Sequence, residues 1–166
     1  MFTLSDGPYG EATPLELPAE PLAVVRFTEL RLSDLGTAVD TSIAALREAF
    51  DADALVRTGP AIAIYRGDPM TLFDMELGYP VQDPPEGELL FGGCRIVPSA
   101  VPDGPALAST LTGSYEGLGP AWERLHDAMI AQGRRPAGVW VEVYHDDLQT
   151  TPAHQQRTDL FLRVAD

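Results

Sequence analysis

The chain repeats itself, and that constrains its fold more than any other feature. Gly59, Tyr65 and Asp68 recur as Gly138, Tyr144 and Asp147, with differences 138−59, 144−65 and 147−68 all equal to 79. Leu35-Gly36 recurs as Leu118-Gly119, where 118−35 and 119−36 equal 83. The offset changes in the helix-to-strand loop, which is longer in the first copy. Any two βαβ-like segments share glycine turns and a strand tyrosine. Here order, spacing and residue type agree together, and that favours duplication.

Each copy reads strand, helix, strand, strand. In the first, "PLAVVRFTELRL" from Pro21 is β-branched and apolar, and Leu35, Val39, Ile43, Leu46 and Phe50 then fall at helical spacing after Ser33 or Asp34 as a cap. "GPAIAIYRGD" and "MTLFDMELGYPV" follow as strands. In the second copy "ALASTLTGSY" is a strand, and "YEGLGPAWERLHDAMIAQG" is a helix with Leu118, Trp122, Leu125 and Met129 on one stripe and Gly133 as its stop. "GVWVEVYHDD" and "RTDLFLRVAD" are its last strands. Residues 1–20 read as an irregular N-terminal arm, 21–80 as repeat one, 81–105 as a proline- and glycine-rich connector with "ELLFGG" as a short edge strand, and 106–166 as repeat two. The expected fold is α+β: duplicated β-α-β-β repeats with pseudo-two-fold symmetry, an antiparallel sheet with two helices on one face and a ligand cleft on the other.

Side chains alternate along a strand, so in "GVWVEVYHD" the valines Val139, Val141 and Val143 share one side and Trp140, Glu142 and Tyr144 the other. The valines, with Ile62 and Ile64, are assigned to the helix-covered core. Trp140, Glu142 and Tyr144 then fall on the open face with Ala61, Ala63 and Tyr65, where two small residues beside large groups leave space. A concave, aromatic-walled site between the halves is the expectation. A carboxylate held among rings loses hydration and must recover it from a cation or from hydrogen-bond donors. The competing reading of Glu142 is a plain ion pair with Arg26, Arg66 or Arg163.

Charge narrows the partners. With 25 acidic against 11 basic residues the net charge is −14, which repels phosphate backbones and anionic lipid surfaces. The single Cys94 excludes an internal disulfide framework and a multi-cysteine metal site. His126, His145 and His154 lack metal-ligand spacing, so neither metal nor cofactor is expected. No secretory leader and no span-length apolar run is read, which places the chain in the cytoplasm without membrane or direct nucleic-acid contact.

The segments "TGPAIAIYRGD", "FDMELGYPV", "TGSYEGLGPAWERLHDAMIAQG", "GVWVEVYHDD" and "TDLFLRVAD", in that order, resemble the GyrI-like small-molecule-binding domain, the effector-binding domain of bacterial transcription activators. The most specific pieces are "G-x-Y-E-x-L" at Gly113 to Leu118 and "E-V-Y" at Glu142 to Tyr144. The resemblance implies duplicated SHS2-like repeats, a ligand cavity that contains Glu142, and lipophilic, often cationic aromatic ligands. It adds Tyr115 as a cavity residue. With alternation and pseudo-symmetry the candidate set becomes Glu142, Tyr144, Trp140, Tyr65, Tyr115, Ala63 and Phe73. Trp122 is assigned to the core, the default for Phe73 as well. Leu111 stands where a histidine often precedes the "G-x-Y" motif, which weakens any mechanism that needs that histidine.

Three functions remain open at this stage. One is a stand-alone binder of hydrophobic or cationic small molecules, acting as sensor or sequestrant, with room for a protein partner or a homodimer. A second is a hydrolase opening strained rings, with Glu142 as base and Tyr144 or Tyr115 as acid or oxyanion donor. The third is an acidic protein–protein inhibitor of the gyrase type. No helix-turn-helix fits, because a strand follows the first helix.

Overall fold

A computed structural model describes residues 7–68, 71–145 and 151–165. Among them the chain forms nine strands and two α-helices, and the strand pairings given below are antiparallel. Asp147 of the repeat lies outside the described residues. The chain divides into two compact units, residues 19–101 and residues 7–18 with 102–165.

The first unit contains β2 (Pro21–Leu30), α1 (Leu35–Asp51), β3 (Ala61–Gly67), β4 (Phe73–Pro80), β5 (Leu89–Phe91) and β6 (Cys94–Ala100), with strand order β3-β4-β2-β6-β5. The second contains β1 (Thr13–Leu17), β7 (Gly104–Thr112), α2 (Leu118–Ala131), β8 (Pro136–Tyr144) and β9 (Arg157–Val164), with order β1-β7-β9-β8. In each, the third strand of the repeat lies between the first and the second, so the β-α-β-β duplication holds at the level of topology. Both helices are also entered through a 3₁₀ turn, Leu32–Asp34 and Tyr115–Gly117, again 83 residues apart (115−32).

Two segments expected to be irregular carry strands. β1 lies in the N-terminal arm and pairs with β7 from Thr13↔Ala108 to Leu17↔Gly104. β6 lies in the connector and pairs with β2, while β5 is the edge strand expected from "ELLFGG". Proline hides both: Pro14 sits on an edge strand, and Pro98 lies beyond the stretch Cys94–Ile96 that β5 covers, where no ladder bond needs its missing N–H. Asp34 caps a turn earlier than expected, accepting the Arg31 N–H at 3.1 Å on Oδ2. The stop after α2 is as expected, with the Arg134 N–H on the Met129 carbonyl at 3.0 Å.

The core under α1 contains Leu46, Ala49, Ala23, Val25, Tyr79 and Ile96. The buried line of α1 is Ala38, Ser42, Ala45, Leu46 and Ala49, smaller residues than the stripe read from the sequence, while Ile43 and Phe50 flank it half-buried. The core under α2 contains Leu125, Met129, Ala121, Leu107, Leu160 and Leu162. The strand face away from each helix is buried as well: Leu22, Val24, Ile62 and Ile64 in one unit, and Ala108, Val141, Val143 and Phe161 in the other, are fully inaccessible. Within the described residues no helix is long and apolar enough to cross a membrane.

Candidate functional site

The site residues of the second unit are set by β8. A bulge interrupts its pairing with β9 between Pro136 and Trp140, at Gly138, whose φ of 81° suits glycine. From Trp140 onward the register is regular: Trp140, Glu142 and Tyr144 oppose Leu162, Leu160 and Thr158. Leu160 and Leu162 belong to the core beneath α2, and Trp140 packs against that core. Glu142 therefore points toward the helix, as do its neighbours of the same parity. This corrects the facing read from the sequence, which put the valines under the helix and the carboxylate on the opposite face. Val141 and Val143 lie on the side away from α2, opposite Phe161 and Asp159.

Glu142 is 6% exposed. Its Oε2 accepts the indole N–H of Trp122 at 2.7 Å, and its Oε1 accepts the Tyr144 hydroxyl. Tyr115, in the turn that opens α2, stands edge-on to Tyr144 with ring centroids 5.8 Å apart at 81°. A buried carboxylate needs donors to offset its lost hydration, and here two aromatic side chains supply them. The arginines weighed as its partners are engaged elsewhere. Arg66 and Arg26 approach Glu76 at 2.9 and 3.7 Å, and Arg163 donates to the Pro105 and Val164 carbonyls.

Trp122 is the residue that the sequence reading assigned to the core alone. It does pack against the α2 core. Its indole nitrogen nevertheless reaches the carboxylate, which follows once Glu142 faces the helix.

In the first unit, Tyr65 and Phe73 meet edge-on, with centroids 5.8 Å apart at 65°. Tyr65 opposes Met75 and Ala63 opposes Leu77. Ala63 is fully buried and Phe73 is 3% exposed, while Ala61 packs against the α1 core. The two small residues are thus covered to different degrees, Ala63 fully and Ala61 partly. Two surface hollows, of about 450 and 290 Å³, lie elsewhere, beside Arg47, Arg57 and Tyr79 in this unit and beside Pro14, Pro105 and Arg134 in the other; none of the candidate residues lines them.

A pair of equivalent acids, one half-buried and one fully buried, went unnoticed in the sequence. Glu76 of β4 and Asp159 of β9 are 83 apart (159−76), and Arg66 and His145, which bind them, are 79 apart (145−66). The repeat offsets were thus a usable signal. Asp159 is fully buried and accepts Thr110 Oγ1 at 2.7 Å, His145 Nε2 at 2.7 Å, and Arg157 Nε and Nη2 at 3.1 and 2.8 Å. Burial alone would raise its carboxyl. The bonds from His145, Arg157 and Thr110, and the His145 charge, outweigh that and hold it below the ordinary 3.8. These donors fix β7, β8 and β9 to one another, and the Tyr9 N–H on Thr110 Oγ1 at 2.8 Å adds the segment before β1.

The architecture is that of a duplicated β-α-β-β protein with a ring-enclosed carboxylate under its second helix. No family model and no curated sequence matches the chain. Solved structures share its fold. The EcmrR C-terminal domain aligns with a TM-score of 0.73 at 19% identity, over 93% of this chain and 97% of that one. SAV2435 bound to tetraphenylphosphonium aligns at 0.66 and 10% identity, over 93% of each chain. A hydrolase from Listeria innocua aligns at 0.64 and 13% identity, over 96% of this chain and 94% of that one. At such identities the likeness is one of fold.

Proposed function

We propose that the protein binds hydrophobic, often cationic aromatic small molecules, as a multidrug-type sensor or sequestrant, with Glu142 as the counter-charge. The observation that carries this reading is the nearly buried carboxylate hydrogen-bonded to the rings of Trp122 and Tyr144, with Tyr115 beside them. A carboxylate attracts a cation, and each ring face that meets the cation contributes ~0.5–2 kcal/mol. Trp140 belongs to the same strand face and Tyr65, Ala63 and Phe73 to the pseudo-symmetric repeat, so the proposal includes them as outer members of the set. The tetraphenylphosphonium carried by SAV2435, a structure of the same fold, supports the ligand class.

A second reading, a hydrolase acting on strained or reactive rings, is supported by the direct Tyr144–Glu142 hydrogen bond and by the hydrolase of the same fold. The carboxylate would serve as base and the phenol as acid. Titration with tetraphenylphosphonium, followed by tryptophan fluorescence, tests the binding reading: saturable one-site binding is expected, and absence of saturation contradicts it. Product formation from a cyclopropane-bearing compound, read by mass spectrometry, would move the conclusion to the enzyme.

A further inference from the structure

The position of Trp122 has a consequence for which cations such a site accepts. Resting on the binding reading above, we infer that Trp122 is a specificity-determining residue that biases the site toward cations whose charged atom bears no hydrogen. The indole N–H sits on Oε2 at 2.7 Å, and the Tyr144 hydroxyl sits on Oε1. Each carboxylate oxygen thus already accepts a donor from the protein itself. A primary ammonium or a guanidinium gains most of its affinity from charge-assisted N–H bonds to such oxygens, and the two tethered donors already occupy about half of the roughly four acceptor sites a carboxylate offers, so fewer remain for those bonds. A quaternary ammonium or phosphonium makes no such bonds. It interacts through charge and through ring faces, and it leaves both internal bonds intact.

The helix makes the indole a fixed competitor. Trp122 stands on α2 between buried Ala121 and fully buried Leu125, and its side chain packs against the α2 core. Moving it away from Glu142 would disturb that packing. The Tyr144 hydroxyl is the second donor, on a half-buried side chain of β8 that stands edge-on to Tyr115. Removing the Trp122 indole should therefore change selectivity.

The test compares two ligands that differ only at the charged nitrogen, naphthylmethyl-trimethylammonium and naphthylmethylammonium, on wild type and on Trp122→Phe by calorimetry. Wild type should prefer the trimethyl compound. Trp122→Phe keeps a ring but removes the indole donor from Oε2, and should shrink that preference by about three- to tenfold. An unchanged preference, with tetraphenylphosphonium still bound, would overturn the inference and leave the binding reading standing; failure of all three cations to bind wild type would remove both. Should Trp122→Phe not fold, the Trp122 indole N–H resonance in the wild-type protein reads the same competition. Saturation with the primary ammonium should shift it upfield, and saturation with the trimethyl compound should leave it hydrogen-bonded. Identical responses to the two would overturn the inference.

Discussion

Replacing Asp159 by Asn should be among the most damaging changes to the second unit, although it removes no volume. The carboxylate is fully buried, and each of its oxygens accepts two donors: Thr110 Oγ1 and Arg157 Nε on Oδ1, His145 Nε2 and Arg157 Nη2 on Oδ2. An amide must turn its NH₂ toward one of those donor pairs, and it removes the Asp159 charge that faces Arg157. Breaking a buried ion pair by removing one partner costs about 3–5 kcal/mol. The side chains of Arg157 and His145 are 25% and 15% exposed, so water recovers part of this, and a loss of about 3 kcal/mol at pH 7 is expected. For a domain of this size that corresponds to a Tm lower by ~6–12 °C. The pH dependence has a definite sign. The folded-state carboxyl is held below 3.8, so its contribution is complete above that value and is lost as pH falls through the folded value. Urea unfolding of both proteins at pH 7 and at pH 3 should therefore show a gap that narrows in acid. A loss below about 1 kcal/mol at pH 7, or a gap that widens in acid, would refute the reasoning.

Gly78→Ala should cost about 3 kcal/mol or more, because its Cβ would lie 1.9 Å from the Ala23 carbonyl oxygen and 2.7 Å from Val24 Cα, both backbone atoms of the paired strand; a small change in urea midpoint would contradict that close approach. Gly36→Ala is its control, with nothing within 4 Å of the added carbon, and should stabilise α1 by about 0.5–1 kcal/mol in the same assay. Tyr144→Phe removes one donor from the buried Glu142 carboxylate and should lower stability by about 1–2 kcal/mol; an unchanged Tm would show that the hydroxyl is not needed there.

Topology was legible in the sequence because it rests on spacing: the offsets of 79 and 83 recover both copies, both helices and the pairing of Tyr65 with Tyr144 as equivalent positions. Grouping by face was legible too, since alternation puts Trp140, Glu142 and Tyr144 together. Which group lies under the helix was not. Alternation relates side chains to each other and carries no reference to the helix, and apolarity breaks the tie only when one face meets water. Here Val141, Val143, Ile62 and Ile64 are fully buried on the side away from the helices, so the valines were an ambiguous marker. The same ambiguity hid Trp122, whose indole is both core filler and donor. β1 and β6 were missed because Pro14 and Pro98 argue against a strand locally, while the free outer positions that tolerate them appear only in three dimensions.

The measurement that bears most directly on the central claim is a calorimetric titration of wild type and Glu142→Gln with methyltriphenylphosphonium and with uncharged triphenylphosphine oxide. The two probes share three phenyl rings and differ in charge. If Glu142 is the counter-charge, the Gln variant should lose about tenfold or more in affinity for the phosphonium, while the oxide changes little. Equal losses for both probes, or an undiminished phosphonium affinity in the variant, would contradict it.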